Sequence, residues 1–122
     1  MGTITASSIY ETSNVKELTL WETVTCGDTG TAYDVPNWAD SLTVQAMGTF
    51  TDASSPPATS TLTMQGSNDG STWATLHADD GNDIAFTAAG MEIIAELPAY
   101  IRPSHSLASG GDVDVYLFAR KE

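Results

Sequence analysis

Three stretches of this chain alternate between apolar and polar residues with a period of two, and this pattern narrows the possible folds most. From residue 17 to 26, Leu18, Leu20, Val24 and Cys26 share one parity, opposite Glu17, Thr19, Trp21, Thr23 and Thr25. Leu42, Val44, Ala46, Gly48 and Phe50 likewise alternate with Thr43, Gln45, Met47 and Thr49. Near the end, Val113, Val115, Leu117 and Ala119 alternate with Asp112, Asp114, Tyr116 and Phe118. Successive side chains of a strand point to opposite faces, so each run reads as a half-buried β-strand. Shorter extended segments are expected at 62–66, 73–77, 84–87, 91–97 and 100–106, separated by turns rich in Gly, Asp, Asn and Ser. Gly90, Ile93, Ile94 and Pro98 weigh against a helix over 88–97. The expected fold is all-β, one antiparallel β-sandwich of eight or nine strands. Val44, Phe50, Leu62, Met64, Val115 and Leu117 are its expected inward side chains.

The 122 residues suit one domain, with 15–122 as the sandwich and 1–14 as an N-terminal arm or first edge strand. Ser and Thr together supply 29 residues, whereas charged residues are only 16% of the chain. That polar filler favours strands and turns over exposed helices. Sixteen acids against four bases give a formal charge of −12, a field that repels phosphate backbones and anionic lipid. No nucleic acid and no membrane are expected as partners. The start lacks a basic region followed by an apolar one, so synthesis in a cytoplasm without export is the simplest expectation.

The inventory of reactive groups argues against an enzyme. His77 and His105 lie in no metal-spaced cluster, and each is expected to face solvent at a strand end or in a loop. Cys26, the single cysteine, has no neighbouring base or cation and is expected to be a small, inert core residue. Glu92 and Glu96, like Asp112 and Asp114, would share a face if their strands run through, as a solvated acidic surface. No catalytic residue, metal ligand or cofactor is assigned. The 79–83 loop carries four Asp or Asn side chains but lacks the order and the bidentate Glu of a helix–loop–helix calcium site, which leaves calcium there open. Trp21 falls on the polar parity of its strand and is the candidate surface aromatic, for a sugar or a protein.

The run Leu62-Thr63-Met64-Gln65-Gly66-Ser67-Asn68-Asp69-Gly70-Ser71-Thr72-Trp73 resembles the G-S-N-D-G-x-x-W hairpin of small virion β-sandwich proteins of tailed bacteriophages. Glu96-Leu97-Pro98-Ala99-Tyr100-Ile101-Arg102-Pro103-Ser104 and the end from Gly111 to Arg120 extend the likeness, which covers roughly residues 40–122. The chain is similar in this respect to capsid cement (decoration) proteins. That resemblance implies a jelly-roll-like fold, a homotrimer, the major capsid protein as partner, and a place on the capsid exterior of a virion made in a bacterial cytoplasm. Ile4, Ile9 and Tyr10, the apolar residues of the arm, are then the candidate capsid contacts. The alternatives are a tail, baseplate or fibre-associated virion protein, or a carbohydrate-binding module.

Overall fold

The computed structural model describes the backbone of residues 3–4 and 6–12, and backbone and side chains of 16–51, 58–106 and 111–121. Twelve strands run through these residues: β1 (Thr3–Ile4), β2 (Ala6–Thr12), β3 (Lys16–Val24), β4 (Thr29–Gly30), β5 (Tyr33–Asp34) and β6 (Ser41–Gly48), then β7 (Leu62–Ser67), β8 (Ala74–Thr75), β9 (Ala85–Phe86), β10 (Gly90–Ile94), β11 (Tyr100–His105) and β12 (Val113–Arg120). The excess over eight or nine arises because β1, β4, β5, β8 and β9 are two-residue ladder fragments. One sheet runs β1-β4-β11-β7-β8, with β5 also paired to β11 and β9 to β7; the other runs β10-β6-β12-β3-β2. All pairings are antiparallel except the short β1–β4 contact. The molecule is therefore an all-β sandwich, jelly-roll-like in its two layers.

The core lies between the sheets. Val44, Phe50, Leu62, Met64, Val115 and Leu117 all point into it, as the alternation predicts, together with Leu42, Ile84, Ile101 and Val113. Pairing Val115 with Ala46, and Leu117 with Val44, places these side chains side by side on one inner face. Burial of this apolar surface is the main favourable contribution to such a fold.

β3 reverses the expected parity. Trp21 is fully buried and Thr19 nearly so, while Leu18 and Leu20 face outward and stay partly exposed. Trp21 is therefore no surface contact but a core residue. The cause is a β-bulge: Val24 pairs with Val113 and Trp21 with Val115, so Glu22 and Thr23 together oppose the single residue Asp114. Thr23 takes a left-handed φ of 58°, and its amide donates to Asp114 Oδ1 at 2.9 Å. The bulge puts Trp21 and Val24, which differ in parity, on one face. The indole is accommodated by Gly30, where a Cβ would come within 2.7 Å of Trp21 Cδ1 and 2.6 Å of Pro103 Cδ. Its Nε1 donates to the Thr31 carbonyl at 3.0 Å, which satisfies the polar end of a buried ring.

His105 is also buried, at 2% exposure, rather than solvent-facing. It lies on the inward parity of β11, and its ring nitrogens meet the Val24 carbonyl at 2.9 Å and Ser60 Oγ at 2.7 Å. Cys26 is half-buried, with Sγ 3.8 Å from His105 Nε2.

Candidate functional site

The site begins where β7 ends. The 67–72 turn is closed by its own side chains: Asp69 Oδ1 accepts from Ser67 Oγ and from the amides of Ser71 and Thr72, each at 2.8 Å. Ser67 Oγ in turn accepts from the Gly70 amide at 2.9 Å, and Gly70 takes a φ of 78° that glycine adopts without strain. These bonds, led by the Thr72 and Ser71 amides, hold the Asp69 carboxyl well below the usual carboxylate range. Asn68 Oδ1 accepts from the Ala99 amide at 3.0 Å and so ties the turn to the segment that leads into β11.

The chain returns along β8 to His77, which meets Glu96 across the end of the sandwich. Glu96 grips His77 twice, accepting from its amide at 2.9 Å and contacting ring Nδ1 at 2.5 Å. Asp83 Oδ1 lies 3.2 Å from the other ring nitrogen, Nε2. The hydrogen bond that Glu96 accepts raises the His77 pKa above its ordinary 6.5, against a partial cost of burial. For Glu96, burial opposes ionisation, but the His77 amide and ring together hold its carboxyl below 4.5. The imidazole thus sits between two carboxylates, with both ring nitrogens engaged.

Between this ion pair and the 67–72 turn lies a cleft of about 630 Å³. Its polar lining includes Asn68, Thr72, Thr75, His77 and Glu96, and its apolar lining Leu76, Leu97 and Pro98. Trp73, half-buried, follows the cleft-lining Thr72 and precedes Ala74. The Arg102 guanidinium lies 4.1 Å from its ring centroid, and Arg102 Nε donates to Gln65 Oε1 at 2.8 Å. Burial lowers the Arg102 pKa from its ordinary value.

Among the described residues no three His, Cys, Asp or Glu side chains converge to hold a metal ion. In the 79–83 loop, Asp80 accepts from Asn82 at 2.9 and 3.1 Å, while Asp83 turns to His77. Inside the sandwich His105 is committed to Val24 and Ser60. Neither the loop nor the interior presents a convergent ligand set.

The other residues singled out from sequence are scattered. Ile4 lies in β1, paired with Gly30, while Ile9 and Tyr10 lie in β2 beside β3. Their side chains, and so the expected capsid contacts, fall outside the described residues. Glu92 and Glu96 do not share a strand face, because β10 ends at Ile94 and the chain turns away before Glu96. Asp112 precedes β12, and Asp114 is engaged by the β3 bulge. The His77–Glu96 pair was missed because its members are 19 residues apart, and the Ala78–Ile94 bridge that aligns them leaves no periodic trace.

No family model matches the chain, and no curated protein matches it. Solved structures similar to it include a cupin domain from Bordetella pertussis, with 10% identity, TM-score 0.47, and coverage of 94% of this chain and 91% of that one. The cupin domain of Schizosaccharomyces pombe Cnp3 matches at 10% identity and TM-score 0.46, covering 95% of this chain and 64% of that one. KdgF from Halomonas sp. matches at 8% identity and TM-score 0.43, covering 96% and 78%. At such distances these likenesses carry no argument about what the chain binds.

The matches do correct the virion reading, for head and tail alike. They are cupin and double-stranded β-helix domains rather than capsid decoration proteins. The misleading signal has a local cause. In the Ser-Asn-Asp-Gly run, Ser67 and Asp69 cap the turn, Gly70 supplies its positive φ and Asn68 tethers it. Any sandwich needing this turn can arrive at the same residues. The carbohydrate-module alternative loses its stated support as well, because Trp21 is in the core.

Proposed function

We propose that this protein is a non-catalytic binding sandwich whose end cleft takes a small, uncharged, hydroxyl-rich molecule. The observation that carries the reading is the cleft itself: about 630 Å³, within the size range of small-molecule sites, with its histidine already held by Glu96 and Asp83 while neutral polar groups remain to bind. His77 is matched by Glu96 and Asp83, so no unmatched cation in the lining attracts an anion. The −12 charge of the chain adds long-range repulsion of anions. Asn68 uses its carbonyl oxygen on Ala99 and retains an NH₂ donor, and the Thr75 hydroxyl supplies a donor and an acceptor. Leu97, 52% exposed, and Pro98 offer apolar surface to the carbon skeleton of such a ligand. Absence of catalysis is supported by the occupied imidazole of His77 and the buried one of His105.

The test is calorimetric titration with sorbitol and with gluconate, which carry similar hydroxyl chains but differ in charge. Sorbitol should bind, with gluconate several-fold weaker. Ala74 is exposed at the cleft and lies in β8, so Ala74→Trp should fill the space without disturbing the fold and abolish binding. No binding of sorbitol, or equal binding by Ala74→Trp, would overturn the proposal.

A further inference from the structure

Arg102 is placed in a way that neither the cleft nor the core explains. On β11 the side chains of Ile101, Pro103 and His105 are buried, which turns Arg102 to the outward face of the β1-β4-β11-β7-β8 sheet. Its ladder partner is Gln65, and the neutral pair Ser104 and Thr63 forms the next outward row. Gln65 alternates along β7 with the cleft-lining Gly66, and Arg102 is not part of that lining. Arg102 Nε donates to Gln65 Oε1 at 2.8 Å, and its Cζ lies 4.1 Å from the centroid of the Trp73 ring. Two such contacts fix the guanidinium in place, so little rotamer freedom is left to lose on binding. The donors on Nη1 and Nη2 have no acceptor among the described residues. Asp34, opposite Tyr100 in the neighbouring outward row, makes no ion pair with Arg102. Burial alone shifts the Arg102 pKa, and it does so downward, with no carboxylate acting the other way. In a chain of sixteen acids and four bases, a half-buried, immobilised guanidinium without a carboxylate is a charge that still lacks its counterpart.

We infer that Arg102 anchors a second binding site, separate from the cleft, which takes a small monocarboxylate end-on through Nη1 and Nη2. The donor set selects this class. With Nε spent on Gln65, side-on pairing is closed, and the end-on fork offers parallel N–H bonds to the two oxygens of one carboxylate. The −12 charge of the chain opposes any anion, and a dianion twice as strongly, so a singly charged ligand is favoured over phosphate. Gln65, Thr63 and Ser104 set no like charge beside the fork. Trp73 and Gln65 are positioning residues here: they orient the guanidinium and leave its outer donors to the ligand.

The experiment follows the Arg102 Nε–H and Trp73 indole N–H signals of isotopically labelled protein while sodium acetate replaces sodium chloride at a constant ionic strength of about 0.15 M. Both signals should move together and saturate, with half-saturation on the order of 5 mM. Acetamide, the neutral counterpart of acetate, should leave both in place, as should sorbitol, and phosphate at pH 7 should bind several-fold more weakly. Arg102→Lys keeps the charge but not the fork, and should weaken acetate binding, read at Trp73, by about fivefold or more. Gln65→Leu keeps charge and fork but releases Nε, and should weaken it about threefold, an effect that attraction to a bare cation would not show. Both positions face outward, so the circular dichroism spectra should match that of the parent. A response that never saturates, an equal response to acetamide, phosphate binding more tightly than acetate, or undiminished acetate binding by Arg102→Lys would overturn the inference.

Discussion

Replacing Trp21 by Ala tests whether the β3 bulge delivers that side chain to the core. The indole is fully buried, stands edge-on to Tyr33 with ring centroids 6.4 Å apart, and donates to the Thr31 carbonyl. Truncating a buried aromatic costs about 3–5 kcal/mol through lost transfer energy and the cavity left behind. At about 2.1 cal/mol/K per residue, the unfolding entropy of 122 residues is about 0.26 kcal/mol/K, so each kcal/mol shifts Tm by about 4 °C. Trp21→Ala should therefore lower Tm by about 12–20 °C. Gly30→Ala should cost about 1–3 kcal/mol by itself, because its Cβ collides with both Trp21 and Pro103. In the Trp21→Ala background one of those collisions is gone, so the double variant should be more stable than the sum of the single losses by at least about 0.5 kcal/mol. The assay is calorimetric or dichroic melting of the four proteins. A Trp21→Ala variant that melts within about 2 °C of the parent would refute the inward placement of Trp21 and the bulge that explains it.

Three further outcomes follow from the same geometry. The raised His77 pKa stabilises the fold fully below 6.5 and loses that contribution as pH rises through the folded value; the lowered Glu96 pKa does so above 4.5 and loses it as pH falls. The Tm gap between parent and His77→Gln should thus be widest between 4.5 and 6.5 and narrow on the alkaline side, and a gap flat from pH 5 to 9 would contradict the pair. Asp69→Ala should lower Tm and speed amide exchange at Ser71 and Thr72, whose amides it accepts from, while leaving amides of β12 unchanged. Thr19 Oγ1 is buried without a hydrogen-bond partner among the described residues, so Thr19→Val should stabilise the protein by about 1 kcal/mol, and a destabilised variant would show that the hydroxyl is satisfied.

The fold was legible in the sequence wherever a strand ran unbroken. Over 42–46 and 113–119 the alternation assigned the right residues to the core, because a single ladder register joins these two segments. It failed at β3, where one extra residue moves Trp21 and Val24 onto the same face and no residue type in Glu22-Thr23 announces it. A left-handed Thr is an uncommon choice for such a position, and glycine would have been readable. The 67–72 turn was legible as a turn, but its residues serve local capping and carry no family information. The His77–Glu96 pair and the cleft beside it depend on bringing 66–77 against 96–98, a contact of the folded chain alone.

The most direct test of the cleft as the binding site is a titration of the isotopically labelled protein with sorbitol, followed by amide chemical shifts. Concentration-dependent shifts are expected at Asn68, Thr72, Thr75, His77 and Leu97, which line the cleft, with β12 and β3 unmoved. Shifts confined to the far sheet, or none up to saturating sorbitol, would contradict it.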